Sequence, residues 1–214
     1  MSNGRTFIIG DIHGCLDMLK RLMDRIAFSP GQDSLIFLGD YIDRGPDAKG
    51  VVDFILALAD TSRVECLKGN HEAMLLDFLS GGDREMFLIN GGLKTLESYE
   101  TPERGDPENR IPTNHRAFFN SLKLYLELDA YYVVHAGFAP GIPIENQAEE
   151  DMLWIRKPFI YSDFDFGKKV LFGHTPFDEP LVMENKIGLD TGAVYGNKLT
   201  CLELPEERFH FVEA

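Results

Sequence analysis

Short apolar runs that end in a glycine and then a polar, chemistry-bearing residue recur along the first third of the chain. Thr6 to Ile9 is rich in β-formers and ends in Gly10-Asp11, after which Leu16, Leu19, Leu22, Met23 and Ile26 fall at helical spacing. Ser29 to Asp33 has turn chemistry, and a second run, Leu35 to Leu38, ends in Gly39-Asp40. Asp47 can cap a helix carrying Val51, Val52, Ile55, Leu56 and Leu58; a third run, Arg63 to Leu67, then leads to Gly69-Asn70. The glycines at 10, 39 and 69 are 29 and 30 residues apart, the length of one strand-helix unit. That spacing predicts parallel strands joined by right-handed crossovers, with the three polar loops on one edge of a sheet. In open α/β sheets ligands bind outside the carboxyl ends of the strands, so chemistry is expected on that edge.

Downstream, Glu72 to Leu79 reads as a helix. Residues 80 to 123 mix helical pieces with Gly81-Gly82, Gly91-Gly92 and the polar stretch Glu100 to Pro112, which together suggest a helical cap containing one mobile loop. The remainder reads as strands over Leu124 to Leu128, Tyr131 to His135, Lys169 to Phe172, Leu181 to Glu184, Lys198 to Leu204 and Phe209 to Val212, with hairpin turns at Asn185-Lys186 and Gly196-Asn197. A parallel first half followed by an antiparallel second half predicts two packed sheets with helices outside. No linker, low-complexity run or repeat interrupts the 214 residues, which fit a single domain over 1–214 with the cap at 80–123 inside it.

Composition narrows the function classes. Apolar residues at 44% and charged residues at 26% match an ordinary folded protein, and 21 Lys plus Arg against 35 Asp plus Glu give a net charge of −14. That is the wrong sign for wrapping a nucleic-acid backbone, and an anionic membrane surface would repel it. The longest apolar stretch, Phe54 to Ala59, is far short of the ~20 residues of a membrane-spanning helix. Cys15, Cys66 and Cys201 are odd in number and form no CxxC pair, so they suit a reducing compartment rather than a disulfide framework. Without a signal-peptide core after Met1, the expected location is the cytoplasm.

Five short segments share one composition: Gly10-Asp11-Ile12-His13-Gly14, Gly39 to Gly45 (with Asp40, Asp43 and Arg44), Gly69-Asn70-His71-Glu72, His135-Ala136-Gly137 and Gly173-His174-Thr175. Each follows a predicted strand, and four of the six histidines fall within them. A glycine in each segment lets the backbone turn sharply and lets other groups approach a common centre, as a metal cluster assembled from loops requires. Carboxylate, imidazole and carboxamide ligands without thiolate suit Mn, Fe, Co or Zn in an open site, and six candidates exceed what one catalytic ion uses. Two ions sharing a carboxylate are therefore expected. His115 and His210 lie outside the pattern and are read as solvated or packed; Gly82-Asp83 and Gly105-Asp106 are read as ordinary turns, and Cys15 as a small buried hydrophobe.

These segments, in this order, resemble the metallophosphoesterase signatures of the phosphoprotein phosphatase family, and Asp43-Arg44 together with Glu72 is similar to its short bacterial and phage-type serine/threonine phosphatases. Asn90-Gly91-Gly92, Leu153 to Arg156 and Asp190 to Ala193 also resemble segments of that branch, while Ala136 stands where many members carry a second glycine. The resemblance implies a calcineurin-like α/β fold of two mixed sheets packed as a sandwich. It implies that Asp11, His13 and Asp40 hold one metal and that Asp40, Asn70, His135 and His174 hold the other, with Asp40 bridging and manganese the favoured ion. Arg44 and Arg156, with Asn70, would grip the phosphate, and His71, oriented by Asp43, would serve as general acid after direct attack by a hydroxide bridging the metals. The implied substrates are phosphoserine and phosphothreonine in proteins, with phosphotyrosine and small phosphoesters also open. Asp11, Asp40 and Asp43 against Arg44 and Arg156 leave the metal-free site at −1, so divalent ions are what make it attractive to a phosphate dianion. The competing activity is that of a symmetrical diadenosine tetraphosphate hydrolase, whose anhydride leaving group needs less protonation. Such enzymes typically replace Asp43, carry Asp in place of Glu72 and run longer at the C-terminus, and all three features favour the phosphatase.

Overall fold

The computed structural model describes residues 4–100 and 111–214, so most of the polar stretch read as a mobile loop, Glu100 to Pro112, lies outside the described residues. The three early runs form parallel strands β1 (Thr6–Ile9), β2 (Ser34–Phe37) and β3 (Arg63–Cys66), with Ile8 opposite Ile36 and Ile36 opposite Glu65. The last two strands, β9 (Lys198–Leu204) and β10 (Arg208–Glu213), return to this sheet: β9 runs antiparallel to β1, with Ile8 opposite Leu202, and gives the order β10-β9-β1-β2-β3.

The second sheet contains β4 (Tyr125–Glu127), β5 (Tyr131–Val134), β6 (Lys169–Phe172), β7 (Leu181–Val182) and β8 (Lys186–Gly188) in the order β4-β5-β6-β8-β7. Its centre departs from the expected antiparallel half, because β5, β6 and β8 are parallel and only β4 and β7 run against them. Both sheets are thus mixed. The chain does reverse between β7 and β8, but the turn falls at 183–185 and Lys186 already belongs to a strand that the reading missed. Gly196-Asn197 joins no hairpin: it follows a 3₁₀ turn (Ala193–Tyr195) and leads into β9, whose partners are β1 and β10.

Alternation along the strands explains the layers. Side chains on successive strand residues point to opposite faces, so Phe7 and Ile9 meet the helices while Ile8 faces the other sheet. Between the sheets Ile8, Ile36, Leu38 and Leu202 from one side pack with Val133, Leu171, Ile187 and Leu189 from the other. Each such fully buried aliphatic chain contributes roughly 1.5–3 kcal/mol. Helices α1 (Leu16–Ile26) and α2 (Ala48–Ala59) cover the outer face of the first sheet, and Asp47 caps α2 by accepting from the Gly50 N–H at 2.8 Å. After α3 (Asn70–Leu79) come α4 (Arg84–Phe87), a π-helical turn (Leu88–Gly92), α5 (Leu93–Ser98) and α6 (Thr113–Ser121). Their Phe87, Leu96, Tyr99, Phe118 and Phe119 join the same hydrophobic cluster as Phe7 and Phe37. On the far side, α7 (Glu149–Trp154) and α8 (Lys157–Ile160) pack Met152, Phe159 and Ile160 against Val134, Val170 and Phe172. No helix among the described residues is long and apolar enough to cross a membrane.

Candidate metal centre and active site

The loops at the carboxyl ends of β1, β2, β3, β5 and β6 converge, and they bring Asp11, His13, Asp40, Asp43, Asn70, His71, His135 and His174 together in a buried polar cluster. The loops are tied by backbone bonds, His13 N–H donating to the Asp40 carbonyl at 2.8 Å and Gly173 N–H to the His135 carbonyl at 2.7 Å. Seven described non-glycine residues have positive φ, and five of them are His13, Asp40, Asp43, Arg44 and His174. Backbone held in that sparsely populated region collects at functional sites, where packing over-determines it. Glycines make the convergence possible by close approach: a Cβ on Gly173 would lie 2.1 Å from Asp11 Oδ1, and one on Gly69 would lie 2.1 Å from Asp40 Oδ1.

Asp40 sits at the middle. Its Oδ2 lies 3.4 Å from His13 Nε2 and 3.9 Å from His71 Nε2, whereas its Oδ1 lies 3.4 Å from His135 Nε2 and accepts the His71 backbone N–H at 3.2 Å. The carboxylate therefore turns one oxygen to each side. Asn70 Oδ1 lies 3.0 Å from His135 Nε2 and 2.8 Å from His174 Nδ1. Among the described residues two groups offer ligand atoms close enough for an ion: His13, Asp40 and His71, and Asp40, His135 and His174. Asp11 stands beside them, its Oδ2 accepting the His174 N–H at 2.9 Å while Oδ1 is buried without a partner.

Proton accounting shows that this donor set fits cations. His13 Nδ1 is 2.8 Å from the Ile42 carbonyl and His135 Nδ1 is 2.9 Å from the Leu38 carbonyl, so each of these nitrogens must donate. Burial keeps both rings neutral, pulling His135 down and His13 down to about 3. The His135 Nε2 lone pair is then aimed at Asn70 Oδ1 and Asp40 Oδ1, acceptor against acceptor, an arrangement that a bound cation resolves, whereas His13 Nε2 accepts from the Arg44 guanidinium beside Asp40 Oδ2. A ring anchored through Nδ1–H to a backbone carbonyl is also the usual outer contact of a metal-ligating histidine. Burial likewise lowers His174 to about 2, and its Nε2 has no partner. Burial together with Asp190 and Asp40 pushes Asp11 well above the ordinary carboxylate range, a cost that positive charge offsets.

His71 differs from the other rings. Its Nδ1 lies 2.6 Å from Asp43 Oδ2, and both side chains are almost wholly buried. Burial raises the Asp43 carboxyl, against the opposing pull of its bonds to His71 and Thr95. Arg44 is half-buried at the rim, with Nη1 2.8 Å from His13 Nε2 and its guanidinium 5.7 Å from the Tyr195 ring. It also borders a cavity of about 590 Å³ between the start of α1 and the 193–196 turn. Arg156 is exposed before α8, close enough for its charge to act on His135, His174 and Asp190.

Every residue singled out from the sequence is at or beside the centre, and His115 and His210 are elsewhere. His115 is buried between Tyr99 and Asp53, and His210 pairs with Glu203 at 2.7 Å. Three groups were missed. Glu72 was noted only as a family mark, yet its carboxylate accepts the backbone N–H groups of Asp40, Tyr41 and Gly69 at 2.9, 2.9 and 3.0 Å and so shapes the Asp40 loop. Burial and Asp40 push it up to about 8. Asp190, whose segment was quoted without a role, faces the centre and is raised by burial to about 6. Thr95 hydrogen-bonds Asp43, and nothing in the sequence marks it.

Known proteins are similar to this chain over most of its length. The chain is 32% identical to serine/threonine-protein phosphatase 1 of Salmonella typhimurium, over 91% of this chain and 89% of that protein. It is 29% identical to the asymmetrical bis(5′-nucleosyl)-tetraphosphatase PrpE of Oceanobacillus iheyensis, over 94% and 89%. A solved structure described as a candidate diadenosine tetraphosphatase superposes with a TM-score of 0.81 at 26% identity, covering 100% of this chain and 95% of that one. The model of the calcineurin-like phosphoesterase family matches residues 4–207, and with two mixed five-stranded sheets carrying a His/Asp cluster at their common edge, the chain belongs to that family.

Proposed function

We propose that this protein is a cytoplasmic, manganese-dependent phosphomonoesterase that acts on phosphoserine and phosphothreonine in proteins. The observation that carries the reading is the buried His71–Asp43 pair, 2.6 Å apart beside the metal cluster. An alkoxide leaves poorly unless it is protonated as it departs, whereas a phosphoanhydride places much less demand on such a group.

In this reading Asp11, His13 and Asp40 would hold one divalent ion and Asp40, Asn70, His135 and His174 the other, with Asp40 common to both. When bound, the ions supply the Lewis acidity that activates water and neutralises phosphoryl charge. His71 rather than Asp11 is grouped with His13 and Asp40 by distance alone, but its Nδ1 is committed to Asp43, which suits proton delivery from Nε2. Arg44 and Arg156 bind the phosphoryl oxygens from the rim, with Asn70 beneath them. Asp43 accepts from His71 Nδ1–H, so the proton delivered to the leaving oxygen is the Nε2–H of the imidazolium, whose charge the Asp43 carboxylate stabilises until that proton is given up. No covalent enzyme intermediate is needed for in-line displacement by water.

The similarity to PrpE-type enzymes supports a second reading, hydrolysis of a dinucleoside tetraphosphate. A competition decides between them: manganese-loaded enzyme with equal concentrations of a phosphothreonine peptide and diadenosine tetraphosphate, followed by phosphorus NMR. The expected result is preferential release of inorganic phosphate from the peptide. Faster appearance of ATP with AMP, or of ADP, would overturn the protein-phosphatase reading and assign asymmetrical or symmetrical nucleotide cleavage instead.

A further inference from the structure

Thr95 lies on α5, more than twenty residues past the last of the metal-rich loops in the first half of the chain, and is fully buried. Its hydroxyl donates to Asp43 Oδ1 at 2.5 Å and accepts the Asp43 backbone N–H at 2.9 Å. The other carboxylate oxygen, Oδ2, is the one that faces His71 Nδ1 at 2.6 Å. One hydroxyl therefore grips the same residue at its amide and its carboxylate, closing a small ring that fixes the side-chain torsions of Asp43. This matters because Asp43 has φ of 68°, a backbone state that a non-glycine residue keeps only when its surroundings enforce it.

We propose that Thr95 is a positioning residue for proton delivery: by occupying Oδ1 it leaves Oδ2 as the acceptor for His71 and sets the imidazole plane. The inference rests on the general-acid reading of His71. A hydrogen bond to an ionised carboxylate is short and directional, so the Thr95 contact transmits the placement of α5 to the ring. Helix α5 is in turn set by Leu96 in the main hydrophobic cluster and by contact with α2. The segment between α4 and α5 also touches the neighbouring phosphate-site candidate, since the Gly91 carbonyl accepts the Arg44 backbone N–H at 3.3 Å.

The test uses the full chain loaded with manganese and two substrates, a phosphoserine peptide with an alkoxide leaving group and 4-nitrophenyl phosphate with an activated one. Thr95→Val should lower kcat for the peptide about tenfold or more but lower kcat for the aryl ester by less than about threefold, with KM changed little, because acid assistance is worth about 10²–10⁴ only where the leaving group needs it. Thr95→Ser should restore both rates. By proton NMR of the metal-free protein, and of the protein loaded with diamagnetic zinc in place of paramagnetic manganese, the downfield His71 Nδ1–H resonance, identified by its loss in His71→Asn, should shift or broaden in Thr95→Val and return in Thr95→Ser. Should the valine variant not fold, Thr95→Ala, whose smaller side chain admits a water, is read in its place. Equal losses on both substrates, or an unmoved resonance, overturn the role of Thr95. The reading on which it rests is scored separately: selective loss in His71→Asn without selective loss in Thr95→Val sinks Thr95 alone, whereas equal losses in His71→Asn sink both.

Discussion

Gly69→Ala isolates the placement of Asp40 from other effects. Gly69 has φ of −90° and ψ of 170°, an extended conformation open to any residue, so the substitution carries no backbone penalty. The new Cβ would stand 2.1 Å from Asp40 Oδ1, 2.5 Å from the Asp40 backbone nitrogen and 2.8 Å from Glu72 Oε2, so the Asp40 loop backbone must shift along with the carboxylate. Ordinary contact begins at 3.4 Å, so relief requires a relative movement of about 1.3 Å (3.4 − 2.1) between the Asp40 carboxylate and the methyl group. Overpacking of this kind costs about 1–3 kcal/mol, offset by about 0.4–1 kcal/mol from the stiffer unfolded chain, for a modest net loss of about 1–2 kcal/mol. The functional cost is much larger. Displacement of about 1 Å at a reacting centre costs about 10²-fold in rate, and here it strikes the carboxylate that faces both ligand groups. Urea unfolding, elemental analysis of bound manganese and turnover of 4-nitrophenyl phosphate should therefore show a nearly normal fold, less than the full metal content and at least a hundredfold slower reaction. Gly167→Ala is the converse control. At φ of 85° with nothing within 4 Å of a new Cβ, it should lose about 1–2 kcal/mol of stability and keep full metal content and rate. A Gly69→Ala enzyme with two ions and a rate within a few-fold of the parent would refute the steric argument and the central placement of Asp40.

Two further outcomes are expected. Asp40→Ala should reduce bound manganese from two ions per chain to less than one, measured after gel filtration in metal-free buffer; retention of two would remove Asp40 from the bridging position. At the other end of the first sheet, Asp33 receives the Arg5 guanidinium at 2.7 Å and the Ser29 N–H at 2.9 Å, and although burial opposes its charge, these partners hold its carboxyl below the usual range. Its contribution is complete above the unfolded carboxylate value of about 3.9 and is lost as pH falls through the lower folded value. Asp33→Asn should accordingly cost about 1 kcal/mol at neutral pH, a figure reduced because Arg5 is partly exposed, and the gap from the parent should close below about pH 4. A gap that widened in acid would contradict this account.

The residues of the candidate cluster were legible because they are grouped locally in sequence. Asp11, Asp40, Asn70 and His174 each directly follow a glycine at the end of an apolar run, and the three first-half strands could be read from apolar runs separated by one helix. What escaped reading depended on partners distant along the chain. Strand β8 has three residues, and its parallel partner β6 lies in an earlier segment, so neither length nor alternation announced it. The return of β9 to β1 is likewise set by burial of Leu202 and Leu204 between the sheets, which no window of sequence displays. Thr95 was invisible for the same reason: it meets Asp43 across a separation of 52 residues, and a threonine within a helical stretch carries no mark of its own. Glu72 stood inside a recognisable segment, but its work is done on backbone amides of another loop, which residue identity does not reveal.

The position of β9 bears on how the molecule is made. It lies between β10 and β1, so the first sheet has a bare edge at β1 until residues 198–204 have left the ribosome. The trio His13, Asp40 and His71 is available from the first third of the nascent chain, but the trio containing His135 and His174 is not, and His174 precedes β9 by a short span. Supply of the second trio and closure of the first sheet thus follow one another closely, well after the first trio has been made. An arrested chain ending before β9 would carry the ligand-bearing loops with an unpaired strand edge, the kind of surface that templates aggregation. The candidate centre is thus completed only once the segment from His174 to β9 has followed the earlier strands.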